Sequence, residues 1–533
     1  GIGYNYGLPT DSTRKDIQKS RALRLKNQTD GTIAVNGNHA TITYSRTIYE
    51  MSGKDIKDIS VSQAGFFTQC LANSGADYTV KDLNFTGVTL KKNIGENNVA
   101  LGVAFARDGA YSPKNLTFEN VSVTGSAIDQ ADQGAAVIGY MSNLTKNTKI
   151  IFKGCTVDGF KAGTDNGNST NKMNHCGAFI GKSDSPAKEA DSTNRKVEFE
   201  NCTANNIKLY NVQNGGLFAG YVNGTCTING GSATTGTITS RTVSGGGGYS
   251  MGGLIGKAES TLNIKETTET PVVSVQNINI RETKHVNSTS NSYAGGVAGS
   301  AASTNIQNVN VENVRLAGKD LGGLIGCVNG GADVKNVKIS NAYLANCSAT
   351  QNAVGGFFGI INGAFNGFNL LSEDNVIGYA VNGNNLLSSD KISSLSADSI
   401  GLQLEGDNTY ATYNSLAANA LLQSETPCGI WVGNANNTVK IVSASRQGKY
   451  SAVNNIGVGK NESSYVIYAD YTGQSTTSST VNTSSTVNTK PDAIVTAGGT
   501  PLTGDGATKV NGTAVRDSII SDIMTNPSLM KGY

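Results

Sequence analysis

Along much of the chain apolar and polar residues alternate singly, as in Val309-Asn310-Val311-Glu312-Asn313-Val314. A period of two places every apolar side chain on one face of an extended strand. Between residues 60 and 380 no helix-length 3.6-residue pattern stands out. A helical solenoid or leucine-rich horseshoe is therefore disfavoured, and short strands are expected.

The strands come in a repeat. Its first element is Gly-Gly, two apolar residues and usually another Gly, clearest at Gly252-Gly253-Leu254-Ile255-Gly256, Gly322-Gly323-Leu324-Ile325-Gly326 and Gly355-Gly356-Phe357-Phe358-Gly359. Variants begin at Ala64, Leu101, Ala135, Gly177, Gly215 and Gly295. A second element follows each copy: an apolar residue, any residue, Asn or Gly, then usually another apolar residue. Phe118-Glu119-Asn120-Val121, Phe199-Glu200-Asn201-Cys202 and Val334-Lys335-Asn336-Val337 are examples, and Gly87, Gly154, Gly230, Asn277, Asn308 and Gly367 hold the same place elsewhere. Nine of each alternate strictly, and successive first elements lie 27 to 43 residues apart.

That spacing suits two or three short strands per repeat, and the expected fold is all-β: a right-handed parallel β-helix of about nine coils. At about 4.8 Å per coil its core is on the order of 40 Å long. Gly in the first element lets neighbouring coils approach closely. Asn or Gly in the second tolerates the left-handed conformation of a corner, and stacked Asn side chains can bond up the rod. Insertions at Lys182 to Arg195 and Thr239 to Ser250 are expected to loop out. Cys155 and Cys202 hold the same place in adjacent coils and read as stacked buried thiols, with side-chain directions ill suited to a disulfide.

The ends differ from the middle. Residues 1–60 precede the repeats and include the alternating segment from Thr32 to Tyr44, expected as an N-terminal cap or first coil. Residues 61–384 carry the repeats. Residues 385–472 are expected as a C-terminal cap, with a short helix within 385–425 and a small β-rich unit within 437–471. Residues 473–533 read as a Ser/Thr-rich linker and tail, with a short helix from Val515 to Met524.

Glycine-led elements followed by an Asn-containing strand resemble the GLUG-type repeats of large bacterial surface proteins and adhesins. The resemblance covers residues 64 to 370, and four copies depart from it by placing Ala or Leu at a leading Gly. It implies a secreted or cell-surface chain, attachment as a role, and no shared catalytic residues. The tail around Leu502-Thr503-Gly504-Asp505-Gly506-Ala507 looks like a junction within a longer surface protein, and Gly1 like a processed or cut end.

Composition narrows the partners. A net charge of +2 with 15% charged residues argues against nucleic acid, which requires clustered Lys and Arg. The densest basic stretch, Arg14 to Lys26, reads as the solvated face of a short helix. No run approaches 18 apolar residues, so no membrane insertion is expected within this chain. Eight Cys without a Cys-x-x-Cys, and only His39, His175 and His285, give no metal or cofactor signature. Asn-x-Ser/Thr sequons are about as frequent as chance gives in so Asn-, Ser- and Thr-rich a chain.

The enzyme alternative is a polysaccharide lyase or hydrolase, which needs a base or two carboxylates flanking the bond. Asp129 with Asp132 is the nearest carboxylate pair, and an ordinary solvated pair is the favoured reading. For binding, Tyr249 and Tyr293 fall in loops before neighbouring Gly-Gly elements, and Tyr140 and Tyr221 follow the element in two other coils. Such rings can stack on sugars. The expected role is a non-catalytic extracellular adhesin or structural stalk whose partners are host or matrix glycans or surface proteins. End-to-end self-association into a filament is the third possibility.

Overall fold

The computed structural model describes residues 24–26, 33–42, 45–46, 49–52, 55–58, 63–71, 77–90, 99–108, 114–142, 144, 147–164, 173–184, 195–240, 248–265, 273–281, 291–346, 353–373, 375–380, 428–449, 451–452, 458–461, 465–470 and 474–475. Among these residues the chain is all-β and dominated by one large parallel sheet. One antiparallel pairing, Tyr49–Ser52 with Asp55–Asp58, lies apart from it.

Each strand bonds to its equivalent one repeat earlier and one repeat later. Ile33–Ile42 pairs with Asp77–Thr86, which pairs with Asn115–Glu119, then Lys149–Lys153 and the start of Lys196–Gly216. The same column continues through Thr225–Ser240, Ile255–Lys265, Ala298–Glu312, Ala332–Ser340, Phe365–Glu373, Val439–Lys449 and Tyr465–Asp470. That makes twelve parallel layers among the described residues, about 50 Å from first to last.

Three corrections to the sequence reading follow. The layers exceed the nine copies of the motif: Ile33–Ile42 forms a first coil, one of the two forms expected of that segment, and two further layers, not expected, lie beyond Glu373. The separate β-rich unit is instead part of the same stack. Cys428–Gly429, Val432–Ala435 and Val439–Lys449 lie in register on Val354–Gly355, Phe358–Ile361 and Phe365–Glu373. This copy escapes notice because its first element reads Gly429-Ile430-Trp431-Val432-Gly433 and follows a long interval after Ala380. Arg24–Lys26, expected in a short helix, is a strand paired with Gln69–Leu71. The helices expected within 385–425 and at Val515 to Met524, and the linker at 473–490 beyond Gln474–Ser475, lie outside the described residues.

Inside the stack identical positions touch. Val80, Phe118, Phe152, Phe199, Ile228 and Ile264 follow one another up a single inward column, each fully buried. Phe118 stacks on Phe152 with centroids 5.2 Å apart, and Phe152 on Phe199 at 5.1 Å. Each such buried ring stabilises the layer by roughly 2–3 kcal/mol relative to exposure. The single Trp, Trp431, closes another inward column against Phe357 at 5.2 Å. Cys155 and Cys202 are free and buried, and their thiols donate to the Phe118 and Phe152 carbonyls at 3.3 Å. Burial pushes the Cys176, Cys202 and Cys226 thiols up, away from the reactive thiolate.

Two corners per layer set the cross-section. The first holds Asp82, Asn120, Gly154, Asn201, Gly230, Asn308, Asn336 and Asn369; the second holds Gly87, Gly125, Gly159, Asn206, Thr235, Asn277, Asn313 and Asn341. All have φ between +50° and +70°, and the two corners of a layer are five residues apart wherever both are seen. The second sequence element thus merges two patterns. Gly87 and Asn277 belong to the second corner, and in the last copy Asn369 turns the first corner, whereas Gly367 lies opposite Val334 within a strand.

The first element bends the chain sharply through close contact. A Cβ on Gly322 would stand 1.9 Å from the Ile325 carbonyl oxygen, and one on Gly256 would stand 2.3 Å from the Gly220 oxygen of the layer below. Register also places the copies at 101 and 215 one residue later, so that Gly102 and Gly216 match Gly252.

Two substitutions probe these constraints in opposite directions. Gly322→Ala forces backbone apart and is expected to cost about 3 kcal/mol, read as a lower urea midpoint. Thr235 is β-branched at φ +58°, so Thr235→Asn is expected to raise stability by about 1 kcal/mol. An unchanged midpoint in the first, or a lowered one in the second, would contradict the corner and bend geometry.

Candidate functional site

The residue after the last Gly of each first element points outward, and the register stacks these residues in one column. From the earliest layer they run Arg107, Tyr140, Lys182, Tyr221 and Lys257. Cation and ring alternate. The Arg107 guanidinium lies 5.3 Å from the Tyr140 ring centroid, and the Lys182 ammonium 5.6 Å from Tyr140 and 5.2 Å from Tyr221. Lys257 completes the series, 5.7 Å from Tyr221. Exposed cation–π contacts of this kind are worth roughly 0.5–1 kcal/mol each.

Two residues further along each strand lie the counter-charges. Lys182 pairs with Asp184 at 2.6 Å and Lys257 with Glu259 at 2.5 Å. Asn223 donates to Asp184 at 3.2 Å, the Tyr221 hydroxyl donates to Glu259 at 3.1 Å, and Arg107 donates to the Ser142 hydroxyl at 2.7 Å.

A second outward column, in the strand before the Gly bend, faces the first. It runs Gln133, His175, Asn214, Ser250, Tyr293 and Asp320. Contacts cross the bend with a constant offset of one layer. The His175 ring meets Tyr221 at 5.2 Å, and the Ser250 and Ser300 hydroxyls bond at 2.7 Å. Tyr293 lies beside Cys327 one layer later. The Asn214 amide donates to His175 Nδ1 at 3.0 Å, which puts the imidazole proton on Nε2. The resulting seam is half-buried to buried although both columns point away from the core.

Of the tyrosines singled out in the sequence, Tyr140 and Tyr221 come together in the cation ladder. Cations over the rings from neighbouring layers occupy the faces a sugar would stack on. Tyr293 lies higher on the seam, in strand Ser292–Gly295 and not in a loop. Tyr249 is also in a strand, Tyr249–Gly252, is only 4% exposed, and lies opposite Ser292, one residue out of step with Tyr293. The four do not share one surface.

Asp129 and Asp132 do not act as a solvated pair. Asp132 is buried, accepting the Val99 amide at 2.8 Å and the Asn174 amide at 2.8 Å, so it ties three layers together. His39 has a left-handed backbone at φ +59° and its carbonyl accepts from Asn84; His285 lies outside the described residues. Among the described residues no three His, Cys, Asp or Glu gather as metal ligands, and no helix is long and apolar enough to cross a membrane. His175, read as a turn or surface residue, is the contributor that the sequence missed, along with Lys182 and Lys257. The signal was present: the residues after Gly139, Gly181, Gly220 and Gly256 read Tyr, Lys, Tyr, Lys.

No protein-family model matches the chain, and no curated protein or solved structure resembles it significantly.

Burial first, and then the neighbouring carboxylates Glu259 and Asp184, hold the Tyr221 hydroxyl well above the usual tyrosine range. Tyr293 is raised by burial and by Cys327, whose own thiol burial pushes up to about 12. A phenol raised in the folded state binds its proton more tightly folded than unfolded. Its stabilising contribution is thus complete below the ordinary tyrosine pKa and is lost as pH rises above it. Stability is expected to fall as pH climbs past about 10, and Tyr221→Phe with Tyr293→Phe is expected to flatten that fall. Urea midpoints across alkaline pH decide it; an equally steep loss in the double variant would place the titration elsewhere.

Proposed function

We propose that the chain is a right-handed parallel β-helix serving as a non-catalytic stalk or display scaffold of an extracellular surface protein. The observation that carries this reading is the continuous parallel pairing of twelve layers, with local register shifts at a few steps, in which each strand bonds to its equivalents before and after. Such a quasi-one-dimensional stack carries its contacts along one axis. Lengthening it by a layer needs no new kind of interaction, which suits a spacer. Asn columns at the corners add side-chain bonds along the same axis. Asn369 donates to Asn336 and Asn336 to Asn308, both at 3.0 Å, while Asn341 donates to Asn313 at 3.2 Å.

The resemblance of the Gly-Gly-Leu-Ile-Gly elements to GLUG-type repeats supports the surface assignment, and neighbouring glycans or surface proteins are the partners it suggests. Use of Asp132 as an interlayer tie weighs against a lyase or hydrolase built on Asp129 and Asp132.

Single-molecule pulling on the whole chain tests the mechanical reading. Layers of 26 to 47 residues, apart from the 74 between Phe365 and Val439, released one or a few at a time give contour-length steps of about 90–160 Å or small multiples of that. One all-or-none release of the entire stack at low force would count against a stalk. Incubation with a panel of polysaccharides should leave reducing and unsaturated ends unchanged, and product release would replace the scaffold with an enzyme.

A further inference from the structure

The strand that precedes the first corner turns three residues outward in each layer, between the inward residues that include Val80, Phe118, Phe152 and Phe199. In four successive layers the last of the three reads Lys81, Glu119, Lys153 and Glu200, in register. The first reads Asp77, Asn115, Lys149 and Lys196, and the middle one Thr79, Thr117, Ile151 and Glu198. Four lysines and four carboxylates share this face, which is therefore neutral as a whole.

Most of these charges are not used inside the chain. Lys149 pairs with Glu198 at 2.8 Å, and Asp77 accepts the Asn115 amide at 2.9 Å. Lys81, Glu119, Lys153, Lys196 and Glu200 are half-buried or exposed and form no ion pair among the described residues. Stacking does not demand their alternation. Farther along the axis the Lys81 column continues as Asn229, Lys265, Gln307 and Lys335, with no carboxylate among them.

A column of alternating charge is complementary to itself when reversed. A two-fold axis perpendicular to the stack, midway between the layers of Glu119 and Lys153, lays a second copy antiparallel against this face. Lys81 then meets Glu200 of the second copy, Glu119 meets Lys153, and Asp77 meets Lys196, each pair occurring twice. The two charges left without an opposite charge across the contact are Lys149 and Glu198, which are already paired within the chain. Sliding the second copy by one layer sets lysine on lysine and glutamate on glutamate, so the charges also select the register.

We propose that this face is a self-association surface on which a second copy of the chain docks side by side and antiparallel. Four layers of five residues cover about 17 Å by about 19 Å, less than a standard interface. Exposed ion pairs are individually weak, so the contact is reversible and sensitive to salt. It lies along the side of the stack and does not depend on the stalk reading.

Sedimentation of the full chain over a range of concentrations is the first test. A dimer is expected at about 0.01 M salt, where the Debye length is about 30 Å, and at least ten-fold weaker association at about 1 M, where it is about 3 Å. Lys153→Glu is expected to weaken the dimer at least ten-fold, and adding Glu119→Lys to it to restore association. Orientation is read by cysteine crosslinking against the unsubstituted chain. Lys81→Cys mixed with Glu200→Cys should crosslink, whereas Lys81→Cys alone should not, its two copies being offset by three layers, about 14 Å. A chain that stays monomeric at low salt overturns the proposal, as does crosslinking of Lys81→Cys to itself. So does a charge swap that fails to restore the dimer; if that swap lowers the melting midpoint instead, the alternation serves the stack's own register.

Discussion

Every layer must change direction within a few residues and still keep its backbone bonds to the layers on either side. The left-handed corner makes this possible. Because all backbone donors and acceptors of the strands are committed along the axis, each turn has to be tight, and a residue at φ near +55° supplies it. Two such corners, five residues apart, leave room for a strand with two inward and two outward residues. Asn201-Cys202-Thr203-Ala204-Asn205-Asn206 and Asn336-Val337-Lys338-Ile339-Ser340-Asn341 show the same spelling with different letters. Residues between the corners are free on the outside and apolar on the inside, which fixes the register against slippage by one residue.

This constraint also accounts for two of the sequons. In Asn120-Val121-Ser122 and Asn201-Cys202-Thr203 the Asn turns a corner, the middle residue points into the core and the Ser or Thr points outward. At these two sites the Asn-x-Ser/Thr pattern follows from corner geometry, and Asn120 already donates its amide to Asp82 at 3.1 Å.

How legible the fold was depends on which rule a residue obeys. Alternation and left-handed corners are local, and the parallel all-β class followed from Val309 to Val314 and from the Asn and Gly positions. Layers were missed where local rules were broken but packing still held. Ile430 stands in the place of the second Gly, yet Trp431 fills the interior against Phe357, so the layer forms without the motif. The seam was hidden for another reason. Tyr221 and His175 are 46 positions apart in sequence, and Lys182 reaches Tyr140 and Tyr221 only once the register is known. No reading confined to one repeat brings these side chains together, although the alternation of Tyr and Lys after successive glycines was visible to a comparison across repeats.

The asparagine columns carry a direction as well as an adhesive function. Asn436 donates to Asn362 and Asn362 to Asn329; Asn366 donates to Asp333, Asn305 to Asn263, Asn223 to Asp184 and Asn115 to Asp77. In each of these bonds the amide belongs to the later layer and the acceptor to the earlier. Aligned head to tail, the amide dipoles polarise one another, which favours columns over isolated pairs. An aspartate accepts but cannot donate, so it fits only at the early end of such a column. Asp77, Asp82 and Asp184 each take the amide of the layer above, and Asp333, in register above Asn305 and Asn263, takes the Asn366 amide and begins a new run there. Asn and Asp at equivalent positions are thus not interchangeable: Asn extends a column, and Asp starts one.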